Sequence, residues 1–292
     1  MAFMDKLKVL WGKAFVGGEW KVGYRKIGSK QNYTFVDVPT GTWIADPFIY
    51  EANGAHYLFV ELFEKEKNKA CIGYYRFIDG EPVFQGKIIE QPYHMSYPCI
   101  FEYDGEHYMI PESSAGNTVD LYRAVQFPDQ WVLDTTFLTD VKYVDTTVVK
   151  LDNDFYALAY GKEGREWRLK LFALDMKQRT FQCIAEKAYE TNIGRPAGYF
   201  LYDGILKRPA QDCSRKYGEA LLIYQIDKLG QGCLDEHLVD KQYANKVLLP
   251  NPADRIHTYT CSSMYEVVDV YYEHFDLLHG VKIFRRAYLS RK

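Results

Sequence analysis

The chain has 292 residues, 47% of them hydrophobic and 26% charged, with a formal net charge of -3. That balance, with Lys and Arg dispersed along the chain, argues against nucleic acid or an anionic membrane surface as the main partner. The length suffices for one large core, and no stretch approaches the roughly 18 to 20 apolar residues of a membrane span.

The first residues, MAFMDKLKVLWGKAFVGGEW, carry scattered charges and no cleavage-site pattern, so the protein is expected to be cytoplasmic. A short amphipathic helix is expected over residues 6–15. Six cysteines, Cys71, Cys99, Cys183, Cys213, Cys233 and Cys261, lie far apart without a C-x-x-C pair and are expected to be buried free thiols. No Rossmann glycine fingerprint is present. No metal or cofactor is expected.

Aromatics make up 16% of the chain, with 25 Tyr, 17 Phe and 5 Trp, a bias toward half-buried strands. Along the chain one layout recurs: IADPFIYEANGAHYLFVE from Ile44, MSYPCIFEYDGEHYMIPE from Met95, VDTTVVKLDNDFYALAY from Val144 and GRPAGYFLYDGILKRPA from Gly194. Each reads as strand, turn, strand, and Asp104-Gly105 supplies the tight turn of the second. A fifth copy is expected near IHTYTCSSMYEVVDVYYEHFD, where alternation again suggests paired strands. A spacing of about 50 residues suits propeller blades of four strands. The expected fold is all-β, a single five-bladed β-propeller over residues 1–292. Its blades begin near residues 44, 95, 144, 194 and 256, and EWKVGYRKI at residues 19–27 supplies the last strand of the fifth blade, closing the ring.

In a propeller the first strand of each blade lines the central channel. Asp46, Tyr97, Asp145, Arg195 and His257 share one column of the repeat and are therefore expected at one mouth, with His94 and Ser96 at its rim. Either aspartate alone is also a common turn cap at a strand start. Glu61 and Glu112 end the second strands, and alternation alone leaves open which of them faces the channel, because one bulge reverses it.

The motif ADPF at residues 45–48, the YP of the second blade and Asp145 resemble the five-bladed arabinanase, levansucrase and invertase superfamily. The resemblance implies Asp46 as base and Asp145 as a tuning acid. Where glycosidases of this type often carry Glu-Gly-Pro, this chain has GRPAG, placing Arg195 at the acid's position; an arginine there would depress a neighbouring carboxylate.

A longer resemblance rests on HMSYPCIFEYDGEHYMIPESS, FPDQW at 127–131, VDTTV, RPAG at 195–198, RPAQDCSRKYG at 208–218 and HTY at 257–259. These are similar to the N-terminal propeller of plant glucosamine inositolphosphorylceramide transferases. Arg195, Arg208, Gln211, Asp212 and His257 would then ring the channel. Arginine forks suit phosphate oxygens, and Tyr97 or Trp43 would stack on a pyranose. The leading expectation is glycosyl transfer in surface-glycan assembly with a phosphate-bearing sugar. Beside it stand a hydrolase or phosphorylase of arabinanase type with Glu112 as acid, and a non-catalytic glycan-binding module serving a partner glycan-assembly enzyme. The partner classes are a sugar, a sugar phosphate or a glycan.

Overall fold

The computed structural model describes residues 16–276, and the helix expected over residues 6–15 lies outside them. In chain order the strands are β1 (Val16–Lys26) and β2 (Thr34–Phe35); β3 (Thr42–Ala52), β4 (Ala55–Glu64), β5 (Lys69–Ile78) and β6 (Glu81–Ile89); β7 (Ser96–Tyr103), β8 (Glu106–Ser113), β9 (Thr118–Gln126) and β10 (Gln130–Thr139). There follow β11 (Val144–Leu151), β12 (Asp154–Glu163), β13 (Glu166–Asp175) and β14 (Thr180–Tyr189); β15 (Arg195–Pro196), β16 (Leu201–Tyr202), β17 (Leu206–Asp212), β18 (Ala220–Gly230) and β19 (Cys233–Tyr243); and β20 (Arg255–Cys261) and β21 (Tyr265–Phe275). They form five antiparallel sheets, the blades of a five-bladed propeller.

Blades one to three are four-strand meanders, β3 to β6, β7 to β10 and β11 to β14. Blade four has only a two-residue inner strand, β15, and the small β16 also pairs with β17. Blade five joins the two ends of the chain in the order β20, β21, β1, β2, so the ring is closed by hydrogen bonds from Val16–Lys26 to β21. The N-terminal segment is thus the third strand of this blade rather than its last, because Thr34 and Phe35 add a short outer strand beyond it.

Burial follows this layering. Inner strands are covered on both faces, as in β3, where Ile44 to Ile49 are all buried, and the outer β6 alternates exposed and half-buried positions from Glu81 to Ile88. Neighbouring blades share apolar layers, such as Phe48, Phe59, Ile72, Ile100, Met109 and Val148 between the first three. Of the six free cysteines only Cys71 and Cys99 are buried; Cys183 is exposed and the others are half-buried.

One local feature aims the mouth. In β3, β7, β11 and β20 the pairing register slips at the column position, a β-bulge that turns a side chain inward. Asp46, Tyr97 and Asp145 sit in these bulges with φ of 46°, 47° and 52°. Aspartate tolerates this left-handed region, whereas for tyrosine it is strained and must be held by its surroundings.

Candidate functional site

The mouth has two halves. The first is built by blades one and five. The Asp46 backbone N–H donates to Asp269 Oδ2 at 2.8 Å, and Thr258 Oγ1 donates to Asp46 Oδ1 at 3.0 Å. Asp269 stands opposite the β20 bulge and accepts the N–H groups of His257 and Thr258 at 3.3 and 2.8 Å. Its carboxylate also lies 2.7 Å from His257 Nδ1, which is 3.8 Å from Asp46 Oδ1. Trp20 of β1 stacks on the His257 ring at 3.7 Å, so ring closure supplies one wall of the site.

Burial pushes the Asp46 carboxyl up to about 8; His257 opposes this, and the charges of Glu61, Asp145 and Asp269 reinforce it. Burial acts to lower the His257 pKa, but Asp269 and Asp46 outweigh it and hold the imidazole above its ordinary value. No hydrogen bond reaches Asp46 Oδ2 among the described residues. Asp46 is therefore a carboxyl able to hold or release a proton near neutral pH, with one oxygen uncommitted.

The second half joins blades two, three and four. Arg195 binds Asp145 through Nε and, at 3.1 Å, through a second nitrogen, which also donates to Glu112 Oε2 at 3.2 Å. Gln211 donates to Asp145 Oδ2 at 2.9 Å, and Ser114 donates to the other Glu112 oxygen at 2.6 Å. Burial raises Asp145 to about 7; Arg195 acts against the rise and Glu112 for it. The arginine thus does not depress this carboxyl below its usual range, because one cation shared by two acids cannot offset the loss of solvent.

Glu61 and Glu112 occupy matching positions, opposite Ala45 in β4 and opposite Ser96 in β8, and both reach the mouth. Glu61 lies 3.2 Å from His94 Nε2, and His94, 41% exposed, marks the rim. Burial acts to lower the His94 pKa, but Glu61 raises it above the ordinary value. Ser96 is buried beside Glu112 in the register.

Other sequence candidates lie elsewhere. Arg208 is sealed between blades three and four, with Glu236 oxygens at 2.5 and 2.6 Å, the Gly194 carbonyl at 3.2 Å and Tyr189 at 3.1 Å. Arg208 thus has no nitrogen left to face the channel. Tyr97 is wholly buried; its hydroxyl meets Thr147 at 2.7 Å and accepts the Gly198 N–H at 2.7 Å, so it braces the ring and offers no stacking face. Gly198 permits that contact, with φ of 124° and the Tyr259 carbonyl only 2.0 Å from where a Cβ would stand. Asp212 accepts Ser214 and pairs with Lys241 at 2.6 Å, capping a turn, while Gln211 orients Asp145 from full burial. Trp43 stacks on Phe63 at 4.4 Å beside a separate cleft of about 460 Å³.

Residues absent from the sequence reading complete the mouth: Asp269, Thr258, Trp20 and Tyr217. Asp269 carries a sequence signal, a lone aspartate inside the apolar run EVVDVYY; Tyr217 falls inside the motif RPAQDCSRKYG, where nothing in the residue pattern singles it out. Tyr217 lies over Arg195, 5.3 Å from guanidinium to ring centroid, and 5.2 Å from the His257 ring. Asp46, His257 and Asp269 lie close enough to hold a metal ion, their ligand atoms within 4.8 Å of one another. Both Asp269 oxygens, however, already accept protein N–H groups. The one Asp-x-Asp spacing, Asp152 to Asp154, forms the β11–β12 turn at the far end of blade three. A cleft of about 840 Å³ also lies away from the mouth, between blades four and five, lined by residues such as Tyr33, Leu221 and Tyr259.

Residues 31–247 match the family described as glucosamine inositolphosphorylceramide transferase 1, N-terminal. The chain belongs to this family. The matched span takes in Asp46, Glu112, Asp145, Arg195 and Tyr217 and ends before β20, so His257 and Asp269 lie outside it. Proteins named glucosamine inositolphosphorylceramide transferase 1 from Oryza sativa subsp. indica and Arabidopsis thaliana are 31% and 30% identical over 201 and 200 residues, 64% and 65% of this chain. The aligned region is 26% of each relative, so the chain spans about a quarter of the curated relatives it matches. In fold it is similar to an exo-β-1,3-galactanase from Clostridium thermocellum, with a TM-score of 0.59 at 13% identity, covering 87% of this chain and 62% of that one.

Proposed function

We propose that the propeller binds a carbohydrate at this mouth and that Asp46 exchanges a proton with it, as base toward an acceptor hydroxyl in glycosyl transfer during cytoplasmic steps of surface-glycan assembly. The observation that carries this reading is the Asp46 carboxyl itself, raised to about 8 with His257 and Asp269 behind it and one oxygen uncommitted. A base of that strength is matched to a hydroxyl proton at neutral pH. Glu61 and Glu112 offer acceptors for neighbouring hydroxyls, and the transferase names of the family's plant members support a sugar as the ligand class.

The geometry does not favour a phosphate-bearing donor. Arg208 is spent on Glu236, and Arg195 is already shared by two carboxylates. Phosphate would enter a mouth whose one arginine is already paired and where Glu61 and Glu112 also stand.

A second reading, a glycan-binding module for a partner transferase, is favoured by the closed Arg195–Asp145 pair. One experiment separates the two. Neutral oligosaccharides, nucleotide sugars and sugar phosphates are screened for binding by calorimetry and for turnover by mass spectrometry, on wild type and Asp46→Asn. Transfer in the wild type that falls about a hundredfold or more in Asp46→Asn supports the catalytic reading. Binding without turnover in either protein leaves the module. Tight binding confined to sugar phosphates would overturn the charge argument.

A further inference from the structure

We infer that Tyr217 is the stacking platform for a pyranose ring at the mouth, an assignment that rests on the carbohydrate reading above. Tyr217 is 40% exposed, unlike the buried Tyr97, yet it is held from several sides. The Arg195 guanidinium lies over its ring at 5.3 Å, and its ring meets His257 and Trp20 nearly edge-on at 5.2 and 6.0 Å. Arg195 is itself fixed by Asp145 and Glu112. A cation against the ring holds it in place and leaves the remaining surface to solvent.

The loop beneath it is built to hold this position. Asp212 accepts both the backbone N–H and the hydroxyl of Ser214, at 2.9 and 2.6 Å, and the Glu219 N–H returns to the Asp212 carbonyl at 2.9 Å. Next to Tyr217, Gly218 has φ of 65°, and a Cβ there would lie 3.0 Å from Trp20 and 3.3 Å from His257. The Gly218 carbonyl accepts the Ile256 N–H at 2.8 Å, tying the loop to blade five. The left-handed glycine and the capped turn together fix the ring at the mouth, where a Cβ at residue 218 would crowd Trp20 and His257.

Tyr217 also touches both halves of the mouth, Arg195 with its two acids on one side and His257 on the other. A sugar ring laid on it presents its apolar C–H face to the aromatic surface and turns its edge hydroxyls toward the carboxylates on either side. Flat pyranoses with a continuous C–H face are therefore the preferred class.

The test is calorimetric titration with methyl β-glucopyranoside, methyl β-galactopyranoside and a methyl arabinofuranoside on wild type, Tyr217→Ala and Tyr217→Phe, with thermal melts as the fold control. A pyranoside is expected to bind wild type, weaken about tenfold in Tyr217→Ala and stay within about twofold in Tyr217→Phe, because the ring and not the hydroxyl makes the contact. Pyranoside binding unchanged in Tyr217→Ala overturns the platform and leaves the carbohydrate reading standing. A loss in Tyr217→Phe as large as in Tyr217→Ala assigns the contact to the hydroxyl and also overturns it. If no glycoside binds wild type, the carbohydrate reading fails and the platform with it.

Discussion

Arg195 and Arg208 lie in the same blade, and from the sequence both read as donors to a phosphate-bearing ligand. The structure separates them. Arg195 keeps 19% of its side chain exposed and divides itself between Asp145 and Glu112, two acids from neighbouring blades. Arg208 is 2% exposed and meets one glutamate squarely, with a carbonyl and a tyrosine hydroxyl taking up further nitrogens. Burial lifts Glu236, but Arg208 and Tyr189 outweigh it and hold it below the usual carboxylate value, whereas Asp145 beside Arg195 rises to about 7. A buried arginine with one matched partner is a rivet within blade four, which reaches blade three only through the Tyr189 hydroxyl. One shared by two acids does not offset what burial costs Asp145, and that carboxyl holds its proton up to about 7.

The comparison breaks most visibly at the rivet. Arg208→Ala leaves the buried Glu236 with only the Tyr189 hydroxyl and, at 3.9 Å, Lys187 beside it, and urea denaturation should record a loss of about 3–5 kcal/mol. Pairing Arg208→Met with Glu236→Leu should recover most of it. A single-variant loss within 0.5 kcal/mol, the range of an ordinary surface substitution, would mean that blade four does not depend on this pair. Arg195→Met should cost less, about 1–3 kcal/mol, because Asp145 can take up a proton in place of the lost cation. Carbon-detected NMR should then find the Asp145 carboxyl titrating above about 7, and a fall instead would refute the shared-cation account.

The proton surplus also has a sign in stability. Asp46 and Asp145 keep protons that the unfolded chain releases near its ordinary carboxylate value of 3.8. Through that window, up to about 7 for Asp145 and about 8 for Asp46, the folded state binds more protons than the unfolded one, so stability falls as pH rises. His257 acts in the same direction: its contribution is whole below the unfolded value of 6.5 and is lost as pH passes its raised folded value. Each group contributes up to about 1.4 kcal/mol per pH unit inside its window. Denaturation midpoints measured from pH 5 to pH 8 should therefore decline in wild type and decline less in Asp46→Asn. Equal slopes would remove Asp46 from the account.

The smallest expected effect is at the brace. Tyr97→Phe strips the hydroxyl from Thr147 and the Gly198 N–H and should cost about 1–2 kcal/mol without altering ligand affinity. A change in affinity at unchanged stability would return Tyr97 to the site.

Much of the fold was legible because its signals are local. The recurrent strand, turn, strand layout, the Asp-Gly turn and the period-2 alternation each operate within a few residues, and their repetition identifies a five-bladed propeller. The column of Asp46, Tyr97 and Asp145 was legible for the same reason, since each occupies the same bulge. Roles within the column were not. Tyr97 and Asp46 share a backbone conformation, yet one is enclosed by Phe48 and Thr147 and the other keeps an oxygen uncommitted.

Arg208 and Gln211 carry the same lesson on one strand. Three residues apart in β17, they point to opposite faces, one to Glu236 and the other to Asp145. Alternation separates them, but only packing of blade three against blade four says which face meets which neighbour. By itself the sequence determined the repeat, the strand pattern and the residues that begin each blade, because those depend on backbone periodicity and turn chemistry. The tertiary structure alone decided that Glu112, Tyr217 and Asp269 join Asp46, Asp145, Arg195 and His257 at the mouth, and how charge and protons are shared there, because charge sharing and desolvation arise only when distant segments exclude water together.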